Sequence, residues 1–197
     1  MASFLAIAGA CEAVIRMLRA RYDAGAFDGP VLDFQVYVAS DFEQPMDQGV
    51  SLFLYRVYPS VAGRTLPGRV LSDRQRQRAQ LAVDAHFLLT AWARKASLQH
   101  EIAGWMLRAL EDFAVLPPAL LNAYRPDVFG PDEAVEVIPA QLSVEELFRI
   151  WEVVVDHKYQ LSVPYMLRMI PIEGPPEAEG GGVVQERVGE LAVPGGA

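Results

Sequence analysis

Cysteine is nearly absent from this sequence, and long hydrophobic runs are missing altogether. The single Cys11 has no second cysteine with which to form an internal disulfide or a thiolate zinc site. No stretch reaches the roughly 18 to 20 apolar residues that a membrane-spanning helix needs. The N-terminus lacks the positively charged start and the cleavage region of a signal peptide. We therefore expect a chain that is made in a reducing cytoplasm, without a signal peptide and without direct membrane insertion.

Positive charge is also scarce, because 17 Lys and Arg residues stand against 25 Asp and Glu residues in a chain of 197. The formal net charge is −8 at pH 7. A surface of that sign repels the phosphates of nucleic acids and of anionic lipids. The composition therefore excludes general binding to nucleic acid or to an anionic membrane.

The common metal and phosphate motifs are incomplete. His100 and Glu101 begin the H-E-x-x-H zinc pattern, but Gly104 stands where the second histidine is needed. The run Gly180 to Gly182 lacks the preceding strand and the Gly-Lys-Ser/Thr ending of a phosphate-binding loop. We therefore predict no metal site, no cofactor-binding residues and no cofactor.

Activated nucleophiles are missing from the sequence pattern as well. Ser51, Ser162 and Cys11 lie in apolar strand or helix patterns. None has the glycine-flanked elbow or the basic neighbour that an activated nucleophile needs. We therefore predict no catalytic residue.

What is present is a hydrophobic content of 52% with 21% charged residues, which is enough to build one sizeable core. Residues 1–173 are expected to form this single domain. Residues 174–197 are dominated by Gly, Pro and Glu and have no core-facing pattern. They are expected to form a flexible C-terminal tail.

Apolar residues at spacings of three and four predict three helices. The first ends near Tyr22, the second begins with Ser97 as its N-cap and is ended by Pro117, and the third begins with a capping box of Ser143 and Glu146. Their apolar stripes should pack on a sheet and bury three aromatic side chains: Trp105, Phe148 and Trp151.

Alternation with period two predicts strands in residues 31–39, 50–58, 77–93, 134–140 and 159–170. The Ala-rich part of 81–93 is also compatible with a helix. Pro164 has no N–H to donate, which predicts that the last strand lies at a sheet edge or carries a bulge. Strands with one polar face predict an α+β fold, in which about three helices cover a mostly antiparallel mixed sheet.

Charge is segregated along the chain. Residues 22–55 hold six acidic residues and no Lys or Arg, whereas residues 56–78 hold six Arg and one Asp. Adjacent patches of opposite sign suit head-to-tail contacts between copies, although two solvated faces would give the same pattern. The candidate interface residues are Asp41, Glu43 and Asp47 against Arg56, Arg64, Arg69, Arg74 and Arg76.

The order of these elements resembles a bacterial family, a domain of unknown function found at the N-terminus of tail terminator (cap) proteins of contractile injection systems. These systems are phage-tail-like particles. The resemblance rests on the first helix, on SLFLYRV at 51–57 with Arg64 in the loop that follows, and on LAVDAHFLLTAWA at 81–93 with Glu101 in the second helix. It continues in LSVEELFRIWEVV at 142–154 and in YQLSVPYMLRMIPIE at 159–173.

The resemblance implies a fold similar to phage tail terminators and a structural protein that is not an enzyme. It implies a homo-hexameric ring that ends the inner tube and engages the terminal sheath ring, so its partners are itself, the tube protein and the sheath protein. The ring would be incorporated at the end of a contractile particle that can be released. Two alternatives stay open: an enzyme whose site is assembled from Arg and carboxylate residues around the loop at 59–72, and an adaptor that binds a peptide strand at a sheet edge. Invariance of His86, His100 and Glu101 among homologues would favour the enzyme.

Overall fold

The computed structural model describes residues 4–27, 31–61, 69–70, 76–77, 80–154 and 159–174. Its helices are α1 (Ala6–Arg21), α2 (Ala96–Asp112), α3 (Pro118–Leu121) and α4 (Val144–Val154), with 3₁₀ helices at Ala24–Phe27 and Ala39–Glu43. Its strands are β1 (Asp33–Tyr37), β2 (Gly49–Pro59), β3 (Arg69–Val70), β4 (Arg76–Gln77), β5 (Leu81–Trp92), β6 (Val115–Leu116), β7 (Val135–Pro139) and β8 (Ser162–Ile172).

Six of the strands form one mixed sheet in the order β1-β2-β5-β8-β7-β6. The β1–β2 pair is parallel, and the other neighbours in this sheet are antiparallel. The expected α+β fold with a mostly antiparallel mixed sheet is therefore confirmed. The stretch 81–93 is a strand and not a helix.

Helices cover both faces of this sheet. The side chains of β5 alternate, so Phe87 and Leu89 join the core formed with α1 and α2, whereas Leu88 and Trp92 join a second cluster on the opposite face. The second cluster holds five buried residues, and α4 covers it through Trp151. The fold is thus three-layered at α4, and β5 is buried on both sides there.

Two bulges bend the sheet. Tyr55 is an extra residue between the pairs Leu54–Phe87 and Arg56–His86. In β8 the register shifts around Met169, which has a φ of 56° and donates its backbone N–H to the Asp84 carboxylate at 2.8 Å. The buried Asp84 side chain therefore supports a backbone conformation that is uncommon for a residue with a side chain.

The prediction for Pro164 is half right, because β8 carries a bulge but is an interior strand between β5 and β7. The Pro164 carbonyl accepts the Ala140 N–H at 3.1 Å on the β7 side. The Pro164 nitrogen faces the same side, just past Pro139 at the end of β7. An interior strand tolerates this proline because no ladder donor is needed at that point.

Four local expectations are wrong. Helix α2 has Lys95 at its N-cap, so Ser97 lies inside the first turn, and the helix ends at Asp112, before β6 and Pro117. Phe148 is 44% exposed, because it lies beside the buried stripe of α4. Trp151 is buried as expected, whereas Trp105 is half-buried at the edge of the main core.

The outer edge of β1 is largely occupied by side chains. The Asp33 N–H bonds to Gln48 on the β2 side, so the backbone groups of Phe34 and Val38 face outward. The Arg19 guanidinium donates to the Phe34 carbonyl, and Val38 exchanges hydrogen bonds with Asp41 through both its N–H and its carbonyl. Between these contacts, Val36 presents its backbone groups outward.

Candidate assembly surface

The acidic candidates lie on the 3₁₀ helix Ala39–Glu43 and in the loop after it. Phe42 anchors this helix in the second cluster, where its ring lies 5.5 Å from that of Trp151 and 6.0 Å from that of Trp92. The anchoring leaves Asp41 half-buried and Glu43 exposed beside α4. The fold therefore builds part of the acidic surface that the charge pattern predicts.

Two of these three carboxylates have partners inside the chain. The Asp41 carboxylate accepts the Val38 N–H at 2.7 Å, and Asp47 forms a 2.7 Å ion pair with Arg94. The Asp47–Arg94 pair is highly exposed and therefore contributes little to stability. Within the described residues Glu43 has neither a hydrogen bond nor an ion pair, which makes it the carboxylate most available to another molecule.

Arg56 lies on β2, directly after the bulge at Tyr55. Its guanidinium stacks over the Tyr58 ring at 4.7 Å from the centroid. Hydrogen bonds from Ser143 are the main cause of the lowered pKa of Glu146, and the charge of Arg56 lowers it further. Arg56 is paired with His86, which alternates with Leu88 along β5, so Arg56 lies on the side of the sheet that α4 covers.

The remaining basic candidates are only partly described. Arg69 lies on β3 and pairs with Gln77, and Arg76 lies on β4 and pairs with Val70. Arg64 and Arg74 lie outside the described residues, as does most of the loop at 59–72.

His86 is a feature that the charge pattern did not indicate. It lies on β5 and forms a 2.9 Å hydrogen bond between its Nε2 and the Tyr58 hydroxyl. Burial lowers the pKa of His86, and the nearby positive charge of Arg56 lowers it further. Cross-strand pairing of Arg56 with His86 brings these groups together, and this register cannot be read from either strand alone.

The residues of nucleophile type are buried and engaged in packing or hydrogen bonds. The Ser51 hydroxyl accepts the Trp92 indole N–H at 2.7 Å, and the Ser162 and Thr90 hydroxyls are 2.9 Å apart. Burial raises the pKa of Cys11 to about 12, which keeps it as an inert thiol. Across the described ranges no three His, Cys, Asp or Glu side chains are placed to hold a metal ion. None of the helices described there is long and apolar enough to cross a membrane.

Two solved structures share this fold with the chain. One is described as the sheath/tube terminator of an extracellular contractile injection system, PVC, in the extended state; the TM-score is 0.57 at 20% identity, covering 94% of this chain and 65% of that one. The other is the tube terminating cap of the anti-feeding prophage, AFP, with a TM-score of 0.61 at 16% identity, covering 92% and 58%. The fold is therefore that of tube-terminating cap proteins, and this chain spans less than two thirds of the length of either.

A family model described as the Pvc16 N-terminal domain matches residues 9–186. The chain therefore belongs to the Pvc16 N-terminal domain family, which confirms the resemblance found in the sequence. No curated protein sequence matches the chain.

Proposed function

We propose that this chain is a structural cap subunit of a contractile injection system, without enzymatic activity. The observation that carries the proposal is the match of at least 92% of the chain to the fold of two tube-terminating caps, together with its family membership. The nucleophile-type side chains found in buried hydrogen bonds or packing agree with a structural role.

The subunit would form a homo-hexameric ring on the end of the inner tube and engage the terminal sheath ring. It would be made in the bacterial cytoplasm and join a particle that can be released. A ring of this kind needs two different surfaces on each subunit, since heterologous contacts repeat head to tail until they close.

Within the ring, the acidic surface at Asp41, Glu43 and Asp47 would face basic residues of the neighbouring copy. Glu43 is the strongest acidic candidate because it lacks an internal partner in the described part of the chain. Arg56 is the weakest basic candidate because its guanidinium stacks over its own Tyr58 ring. The arginines of the 64–76 segment would carry the basic side.

Imaging with purified tube protein tests the proposed function. Negative-stain micrographs should record six-fold rings, and the chain should sediment with tubes in proportion to the number of tube ends. Binding along the tube length, or no binding to tubes, would contradict a terminating role.

Charge reversal tests the proposed pairing. Replacing Arg74 and Arg76 with Glu should reduce ring formation on tubes, and Glu43→Arg in the same chain should restore part of it. Arg108→Glu is the control, because Arg108 pairs with Asp112 of its own helix. Rim contacts are screened beyond roughly 10 Å at 0.1 M salt, so rings should weaken as salt rises. If rings form equally well with the reversed arginines and at high salt, the charged residues form only a solvated surface.

A further inference from the structure

An open apolar groove of about 490 Å³ lies between the first turns of α1 and the end of β1. Its rim includes Phe4, which is 81% exposed, and Val38, which is 61% exposed. Ala8 lies at the surface of the groove, and Glu12 is a half-buried carboxylate in its lining. The Tyr37 hydroxyl is already used by the Met46 N–H at 2.8 Å.

A protruding apolar ridge lies on α4, which covers the opposite face of the sheet from α1. Val144 and Phe148 are one helical turn apart and are 66% and 44% exposed. The Phe148 ring packs edge-to-face against Tyr159 at 5.3 Å, so its position is fixed although it is open to solvent. Exposed Arg149 follows directly on the same helix.

We propose that the Phe148 ridge of one copy docks in the α1–β1 groove of the next copy, with Arg149 beside Glu12. The proposal rests on the ring assembly proposed above and assigns its apolar contact. The groove and the ridge are different surfaces of one subunit, so their contact is heterologous and repeats around a ring. A fixed aromatic anchor in an apolar groove is the usual centre of an interface, and the opposite charges of Arg149 and Glu12 set its orientation.

The lining favours a protein side chain over a small metabolite. Small-molecule sites combine an apolar wall with several polar groups that converge on the ligand. Here the lining is mostly apolar, and one of its hydroxyls is already bonded within the chain. The C-terminal segment after Gly174 is the competing occupant, because it carries Val188 and Leu191.

Cysteine cross-linking of the full-length chain tests the contact without tube protein. Chains carrying Ala8→Cys are mixed with chains carrying Val144→Cys, which keeps Phe148 in place, at about 100 μM under mild oxidation. A disulfide-linked dimer should form in this mixture and should be much weaker in either variant alone. Val153→Cys is the matched control, since Val153 is 86% exposed on the solvent side of α4. The parent chain controls for the buried native Cys11.

Sedimentation velocity gives an independent measurement. Phe148→Ala, and Ala8→Phe as a plug for the groove, should each weaken self-association at least about tenfold. Glu12→Arg should weaken it as well, and Arg149→Glu in the same chain should recover part of the loss. Equal cross-linking by Val153→Cys, or full association of the plugged variant on its own and on tubes, would overturn the proposal.

Two further outcomes separate this contact from the cap function. Loss of association in a full-length Val188→Asp, Leu191→Asp variant, with Phe148→Ala unaffected, would assign the groove to the C-terminal segment and overturn the ridge. Tube-end binding without the specific cross-link would refute the ridge and keep the cap function. The specific cross-link without tube binding would support the ridge contact and refute the cap function.

Discussion

Replacing Trp151 with Ala should strongly destabilise the fold, because this side chain joins α4 to the sheet. Trp151 is 3% exposed, and its indole lies 5.5 Å from the Phe42 ring, 6.2 Å from the Trp92 ring and 5.6 Å from the Tyr159 ring. Truncating a buried Trp to Ala costs about 3 to 5 kcal/mol. The Trp151 Nε1 has no hydrogen-bond partner among the described residues, and its burial already costs the folded state free energy. We therefore expect a loss near the lower end, about 3 kcal/mol.

Urea unfolding followed by far-ultraviolet circular dichroism measures this loss. With a slope of about 2 kcal/mol per M, the midpoint should fall by about 1 to 2 M. Trp151→Phe should cost less than about 1.5 kcal/mol, because it keeps an aromatic ring and removes the unpaired N–H. The slope should be the same in all variants if they unfold in one step.

Phe148→Ala is the matched control on the same helix. Its half-exposed ring should contribute only about 1 kcal/mol. A Trp151→Ala midpoint no lower than that of Phe148→Ala would refute the docking of α4 through Trp151. That result would also mean that Phe148 contributes to stability as much as Trp151 does, so an effect of Phe148→Ala on association could no longer be separated from an effect on stability.

Three further measurements test other parts of the structure. The folded pKa of His86 lies below its ordinary 6.5, so the unfolded chain takes up that proton first as pH falls. The wild type should therefore lose stability below about pH 6.5 more steeply than His86→Gln; parallel pH profiles would contradict this environment. Ser143→Ala should cost roughly 1 kcal/mol, because the Ser143 hydroxyl accepts the Glu146 N–H at 3.2 Å in the capping box, and an unchanged unfolding midpoint would mean that this cap is not formed. A chain ending at Glu173 should keep the melting temperature of the full chain, and failure to fold would place the tail in the core.

Much of the fold could be predicted because its strands and helices carry clear periods. The capping box of Ser143 and Glu146 forms as expected, with the Ser143 N–H donated to the Glu146 carboxylate at 2.9 Å. The second layer could not be predicted from one-face alternation. Its signal in the sequence was the run from Leu88 to Trp92, which has no charged residue, and such a run indicates a strand buried on both faces.

The end of β1 illustrates a different limit. Alternation predicts Val38 as a core residue, but the strand ends at Tyr37 and a 3₁₀ helix begins two residues later. Tyr37 alternates with Val36 and lies in the second cluster, whereas Val38 lies beyond the end of the strand and is exposed. Alternation shows which residues share a face of a strand only as far as that strand continues. At the end of β1, the Val38 N–H is donated to the Asp41 carboxylate and does not continue the strand.

The candidate surface was harder to predict than the fold. The charge pattern found the acidic residues, but it did not indicate that Asp47 pairs with Arg94 or that Arg56 is paired with His86 across the sheet. Such pairings join residues that are far apart in sequence. They depend on the sheet register, which composition does not specify.

The occupied edge of β1 has a consequence for growth. An open edge strand is a template to which any extended chain can add, one strand after another, without a defined stopping point. Here Arg19 bonds to the Phe34 carbonyl, and Asp41 bonds to both the N–H and the carbonyl of Val38. Another strand could therefore pair with β1 over a short stretch near Val36. Backbone pairing recognises no sequence, whereas side-chain contacts do. The block at this edge therefore favours selective contacts between copies over indiscriminate fibre growth.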